Sequence, residues 1–127
     1  MQKTNFKGRC LKRQLSKCEG VCRTFSELAD AYALQLEKKE EIEKIQCNVL
    51  MEGLPLGNYT SDFVCKKTNG NLLVRECVQR KHLSKPLTVK QLNESRKFWM
   101  QHGVKDWGIV IDCIKRLIGA CKESLFS

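Results

Sequence analysis

Alternating strand and helix periodicity predicts an α/β domain, a mixed sheet flanked by helices in the order helix, three strands, helix, strand, helix. Three observations predict it. Two stretches of 3.6-residue apolar periodicity each open on a Thr-x-x-Glu/Gln pattern, in which the side chains cap each other's free backbone N–H groups. Two extended runs, YTSDFVC and LLVRECV, flank a turn containing Asn69-Gly70. Finally, the apolar run WGIVID follows the second helical stretch, so that strand, helix and strand make a right-handed crossover unit.

The chain has 127 residues, which is long enough for one domain with one buried core. Lys and Arg exceed Asp and Glu by nine, an excess that favours polyanions, with nucleic acid the first candidate and anionic membrane the second. No apolar run approaches about 18 residues, so no membrane span is expected. The start, MQKTNFKGRC, has no apolar stretch of a secretory signal, and a cytoplasmic, reducing location is expected.

Residues 1–23 carry seven Lys or Arg and one acid, Glu19, with little apolar periodicity. They read as an irregular or extended basic arm, either a solvated tail or a phosphate-contacting segment, ahead of a single domain at residues 24–127. Thr24 and Glu27 form the first capping box, and Leu28, Ala31, Tyr32, Gln35 and Leu36 gather on one side of a helix from about Phe25 to Lys38. The run EKKEEIEK reads as a solvated helix end and turn, and a strand follows at about Ile45 to Met51. A turn is expected around residues 52–57. After the two central strands, Pro86 bars continuation in the middle of the sheet. Thr88 and Gln91 make the second capping box, Leu87 and Leu92 a hydrophobic staple, and Gly103 a left-handed cap. Val89, Leu92 and Trp99 define the buried stripe of that helix. Ile114, Leu117, Ile118, Cys121 and Leu125 suggest a final amphipathic helix.

The central hairpin carries one acid in each strand, Asp62 and Glu76. A two-residue Asn69-Gly70 turn would send them to opposite faces. A three-residue loop, Thr68-Asn69-Gly70 with Gly70 left-handed, pairs Lys67 with Asn71 and sets Asp62 opposite Glu76. That register is expected here. Two carboxylates so placed repel unless a cation lies between them, and such a pair beside a basic side chain holds Mg²⁺ or Mn²⁺ for phosphodiester hydrolysis. The alternative is a pair of unrelated solvent-facing acids on an edge hairpin.

Of the eight cysteines, Cys47, Cys65, Cys77, Cys113 and Cys121 sit in apolar patterns as small buried hydrophobes. Cys18 and Cys22, spaced C-x3-C in KCEGVC, with Cys10 eight residues earlier, are candidate Zn²⁺ ligands, set against free thiols near the surface.

The element order, with an acid in the second strand and another in the third, resembles the restriction-endonuclease-like fold with its PD-(D/E)xK motif. More narrowly, YTSDFVCKKTNGNLLVRECVQRKHL with KPLTVKQL, SRKFW and GVKDWGIVID is similar to the N-terminal nuclease domain of TnsA-type transposon endonuclease subunits. The resemblance spans residues 24–112. It implies a metal-dependent DNA endonuclease, a hydrolase that cuts transposon ends alongside a separate transposase. On the family pattern Asp62 takes the first acid's place, Glu76 the second's, and Glu27 that of the acid on the early helix. The motif lysine falls on Val78, which cannot supply charge. The family's Gln-x-Lys variant maps onto Gln79-Arg80-Lys81, with Lys81 as the displaced lysine. Arg80 shares the strand parity of Glu76, whereas Lys81 would reach the site only past a bulge. A second reading is a module of the same fold that has lost its chemistry and acts through a basic surface or a protein partner.

Overall fold

The computed structural model describes residues 11–52, 59–112 and 121–125. The chain runs through β1 (Leu11–Gln14), β2 (Val21–Thr24), α1 (Glu27–Lys38), β3 (Ile42–Met51), β4 (Tyr59–Lys67), β5 (Leu72–Cys77), a 3-10 turn (Arg80–His82), α2 (Pro86–Gln101), β6 (Asp106–Asp112) and β7 (Cys121–Leu125). A four-stranded mixed sheet, β3-β4-β5-β6, is extended at its edge by β7. β5 and β6 are parallel, the other neighbours antiparallel. The mixed α/β class expected from the sequence is observed. The expected order is altered at both ends: two strands precede α1, and Cys121–Leu125 is a strand where a final helix was expected.

Helices cover both faces of the sheet. Leu28, Tyr32, Ala33 and Leu36 of α1 pack with Ile45, Phe63, Cys65, Leu73 and Val110. Leu92 and Trp99 of α2 pack with Val64, Val74, Val78, Trp107 and Ile109 on the other side. Successive strand residues point to opposite faces, so Val64 and Phe63, or Val74 and Leu73, serve different layers. This even alternation breaks at one place. Ile45 and Cys47 of β3 belong to the α1 layer, but Val49 and Met51, of the same parity, belong to the α2 layer. Between them Asn48 has φ 55°, a left-handed conformation that asparagine tolerates better than most residues, and its Nδ2 donates to the Arg23 carbonyl at 2.9 Å. In the β3–β4 register the residue facing Asn48 is Asp62, flanked by the pairs Cys47–Phe63 and Val49–Ser61.

Several boundaries differ from the sequence reading for identifiable reasons. The cap of α1 is Ser26, whose hydroxyl accepts from the Ala29 N–H at 3.1 Å, while Thr24 is engaged in β2. Pro86 opens α2 at its first turn, where a missing N–H costs nothing, so Thr88 lies inside the helix. Gly103, at φ 87°, follows the end of α2 as expected, with the Val104 N–H donating to the Trp99 carbonyl. Val89 is 43 % exposed; the buried stripe is Gln91, Leu92, Ser95 and Trp99. The acidic run after α1 is shorter than expected, because β3 already begins at Ile42. Most of the expected turn at 52–57 lies outside the described residues.

Residues 11–24 are not irregular. β1 and β2 form an antiparallel hairpin with Leu15 and Cys22 in the α1-side core. Arg13 clamps Asp30 of α1 through two hydrogen bonds at 2.6 and 2.9 Å, and Glu37 accepts from the Ser16 and Lys17 N–H groups. The first ten residues, including Cys10, lie outside the described residues. No described helix is long and apolar enough to cross a membrane.

Candidate active site at the end of the central hairpin

The loop between β4 and β5 sets the site's register. The Gly70 N–H donates to the Lys67 carbonyl, the Lys67 N–H donates to the Asn71 carbonyl, and Gly70 has φ 91°. This is the three-residue loop expected from the sequence. The ladder runs from Lys66–Leu72 to Phe63–Arg75, and one step further Asp62 stands opposite Glu76. There the carboxylates take over the backbone donors. Glu76 Oε1 accepts the Asp62 N–H at 2.9 Å, and Asp62 Oδ2 accepts the Cys77 N–H at 2.8 Å.

Glu76 is fully buried and fixed from a second side. Its Oε2 accepts from Ser95 Oγ at 2.6 Å, and Ser95 Oγ in turn accepts from Trp107 Nε1 at 3.1 Å. Trp99 Nε1 donates to Ser61 Oγ at 2.8 Å. These bonds from α2 and β6 satisfy polar atoms that would otherwise be stranded in an apolar layer. Burial, and then the Asp62 charge, push the Glu76 carboxyl up to about 7. Desolvation and a like charge both disfavour the ionised form, and the hydrogen bonds only partly oppose them.

Asp62 is nearly buried but lines a cleft of about 440 Å³ between the first turns of the two helices. Ser26 and Ala29 of α1 stand on one side, Thr88 and Gln91 of α2 on the other, and Gln79, His82 and Lys85 close the end. Gln91 Nε2 is buried without a hydrogen-bond partner. A ligand oxygen or water in the cleft would satisfy it. The His82 imidazole is held below its usual value, by desolvation first and then by Lys85 and Lys81.

The structure brings some of the sequence candidates together. Asp62 and Glu76 meet, and Gln79 lines the cleft beside Asp62. Glu27 is exposed at the first position of α1 and is not on the cleft wall. Val78 is 5 % exposed in the α2-side core, with its N–H donated to the Val110 carbonyl. Strand β5 ends at Cys77, so the strand parity assigned to Arg80, and the bulge invoked for Lys81, do not apply: both residues are exposed on the 3-10 turn. The cleft is also lined by the Lys85 ammonium and the His82 imidazole, which no sequence motif marks. Ser95, in SRKFW, and Gln91, in the second capping box, reach the site from α2, and neither pattern by itself marks a site residue.

A second cluster lies elsewhere. The Sγ atoms of Cys18, Cys22 and Cys47 are within 4.8 Å of one another, close enough to hold one metal ion. Cys47 was expected to be a plain core residue, and Cys10, expected with Cys18 and Cys22, lies outside the described residues. Cys113 does too, whereas Cys65 is buried as expected.

The chain matches no protein-family model, and no curated protein is recognisably similar to it.

Proposed function

We propose that this chain is a metal-dependent DNA endonuclease subunit of the TnsA type, with the restriction-endonuclease-like fold, acting with a separate transposase at transposon ends. The observation that carries the reading is the apposition of Asp62 and Glu76 where a cleft opens between two helix N-termini. The succession α1, β3, β4, β5, α2, β6 supports it, as does the resemblance of residues 24–112.

The two carboxylates suit a hard divalent cation. Carboxylate oxygens are the hard donors such an ion takes. The repulsion and burial that raise the Glu76 carboxyl are both relieved by a neighbouring positive charge. Asp62 and Glu76 would hold Mg²⁺ or Mn²⁺, which when bound supplies an activated water and neutralises charge on the phosphate. The chain's own groups do the rest. Ser95 and the Asp62 N–H fix the Glu76 carboxylate, so that its geometry is set before substrate arrives. Lys85 presents a cation to a phosphate entering the cleft, His82 a neutral imidazole, and the N-terminal turns of α1 and α2 border the same space, where the helix dipoles favour an anion. Gln91 offers a further donor. With Val78 in the lysine position, Lys85 is the candidate charge-stabilising residue from the cleft wall, beside Lys81 from the resemblance.

One observation favours the second reading, a nuclease-fold module without chemistry that binds DNA or a protein partner. Val78 is locked in the core where the motif would place its lysine. Cleavage of supercoiled DNA with Mg²⁺ or Mn²⁺, together with duplex binding by anisotropy, decides between the two. On the nuclease reading Asp62→Ala and Glu76→Ala abolish cutting and retain binding, while Lys85→Ala lowers cutting by about 100-fold, the usual cost of removing one charge-stabilising group. Cutting that survives both acid substitutions overturns the nuclease reading. Binding without cutting under either metal, with or without a partner transposase, establishes the module.

A further inference from the structure

Three thiols from separate parts of the fold converge beside the N-terminal hairpin, away from the carboxylate cleft. We propose that Cys18, Cys22 and Cys47 form a Zn²⁺ site that staples the β1–β2 hairpin onto β3, with a fourth coordination position facing solvent.

The backbone builds the convergence. Cys18 follows a turn in which its N–H donates to the Leu15 carbonyl at 3.1 Å, and it makes a parallel bridge with Ile45. The Ile45 N–H donates to the Lys17 carbonyl at 2.9 Å, tying the same loop to β3. Gly20, at φ 80°, reverses the chain so that Cys22 returns on β2 with its side chain buried. Cys47 lies two residues beyond Ile45 on the same face of β3. Cys22 Sγ and Cys47 Sγ are 2.7 Å apart.

The chemistry of the donor set selects the ion. Three sulfurs with no imidazole or carboxylate among them favour a thiophilic ion over Mg²⁺ or Ca²⁺. Zn–S bonds of about 2.3 Å place tetrahedral thiolates roughly 3.8 Å apart, so the trio is within reach and the Cys22–Cys47 pair opens by about 1 Å. The Cys22 and Cys47 sulfurs already share a hydrogen bond, so they face one another before any ion enters. Cys65 behaves differently. Burial pushes its thiol up to about 12, and it stays a neutral core residue. Access comes from the surface: Cys18 and Cys47 line a shallow depression with Glu19 and Gln46, from which water or the Glu19 carboxylate completes the coordination.

The test is a Co²⁺ titration of the reduced full-length chain, followed by displacement with Zn²⁺. One equivalent should give thiolate-to-cobalt charge-transfer bands with tetrahedral d–d bands, both removed by Zn²⁺. Cys47→Ser and Cys22→Ser should each weaken Zn²⁺ binding by about 100-fold or more, one thiolate's share of the binding energy of structural zinc. Cys65→Ser should leave it unchanged. Zinc should also raise Tm in a concentration-dependent way and protect the three thiols, in the wild-type chain, from alkylation read by mass spectrometry. Absence of thiolate–cobalt bands in the wild type overturns the site. So does unchanged affinity in Cys47→Ser, or a Cys22–Cys47 disulfide in protein purified with reductant and zinc.

Discussion

Glu76 is the residue at which stability and chemistry meet. Its folded-state pKa, about 7, stands above the unfolded reference of 4.5, so the native state holds a proton that the unfolded chain gives up. Its contribution is therefore complete below about pH 4.5 and is lost as pH rises through about 7. Glu76→Gln removes the titration and keeps an amide able to bond both Ser95 and the Asp62 N–H. In metal-free buffer the variant should be more stable than wild type at pH 8 by on the order of 2 kcal/mol, with the difference vanishing near pH 4; chemical denaturation across that range measures it. Asp106 has the opposite sign. Partial burial raises its carboxyl, but hydrogen bonds from Lys67 and Arg75 more than offset this and hold it below 3.8. Its contribution is present above that value and fades as pH falls through the folded pKa. Arg75, 4 % exposed, donates to both the side chain and the carbonyl of Asp106. Asp106→Ala should cost about 3 kcal/mol at neutral pH by leaving a buried guanidinium without its counter-charge, read as a lowered denaturation midpoint with unchanged slope.

At the scale of elements, the central hairpin was legible because its loop decides its register: Gly70 is left-handed while Asn69 is not, which excludes the two-residue turn, and Asp62 opposite Glu76 follows. β6 was legible from its apolar run, and α2 from Gly103. Other elements were not, for physical reasons. The stripe from Ile114 to Leu125 has helical spacing, yet Cys121–Leu125 pairs along β6, where an open sheet edge outweighs local periodicity. The N-terminal hairpin was missed because its strands are four residues each and mostly polar outward, so a buried side is marked by Leu15, Cys22 and the polar Thr24. Deleting residues 1–23 therefore removes core, not a loose tail. The deletion should unfold the domain or lower its Tm by more than 10 °C, since a loss of a few kcal/mol moves Tm by about that much in a chain of this size. Circular dichroism on heating checks this, and a truncated chain melting like wild type would refute it.

For the whole molecule the relevant quantity is charge. An excess of nine positive charges on 127 residues makes association with duplex DNA an exchange of side-chain cations for condensed counterions. With about four phosphates neutralised, affinity should fall roughly 100-fold between about 50 and 200 mM salt. Lys85→Glu should reduce the slope of log affinity against log salt by about one contact, while Lys12→Glu, on the β1–β2 hairpin and not on the cleft wall, should leave it unchanged. Equal slopes for wild type and Lys85→Glu would place the DNA elsewhere than the cleft.

The left-handed Asn48 gives β3 the form of a crank. The half-strand before it and the half-strand after it are rotated, so one continuous segment supplies both helix-covered layers without changing parity. The thiol of Cys47 sits on one arm and the Met51 side of the α2 layer on the other, with Asp62 across from the pivot. A β-branched side chain at the pivot would resist its left-handed turn and drive both arms toward one plane, displacing in a single motion the cysteine cluster and the floor of the cleft.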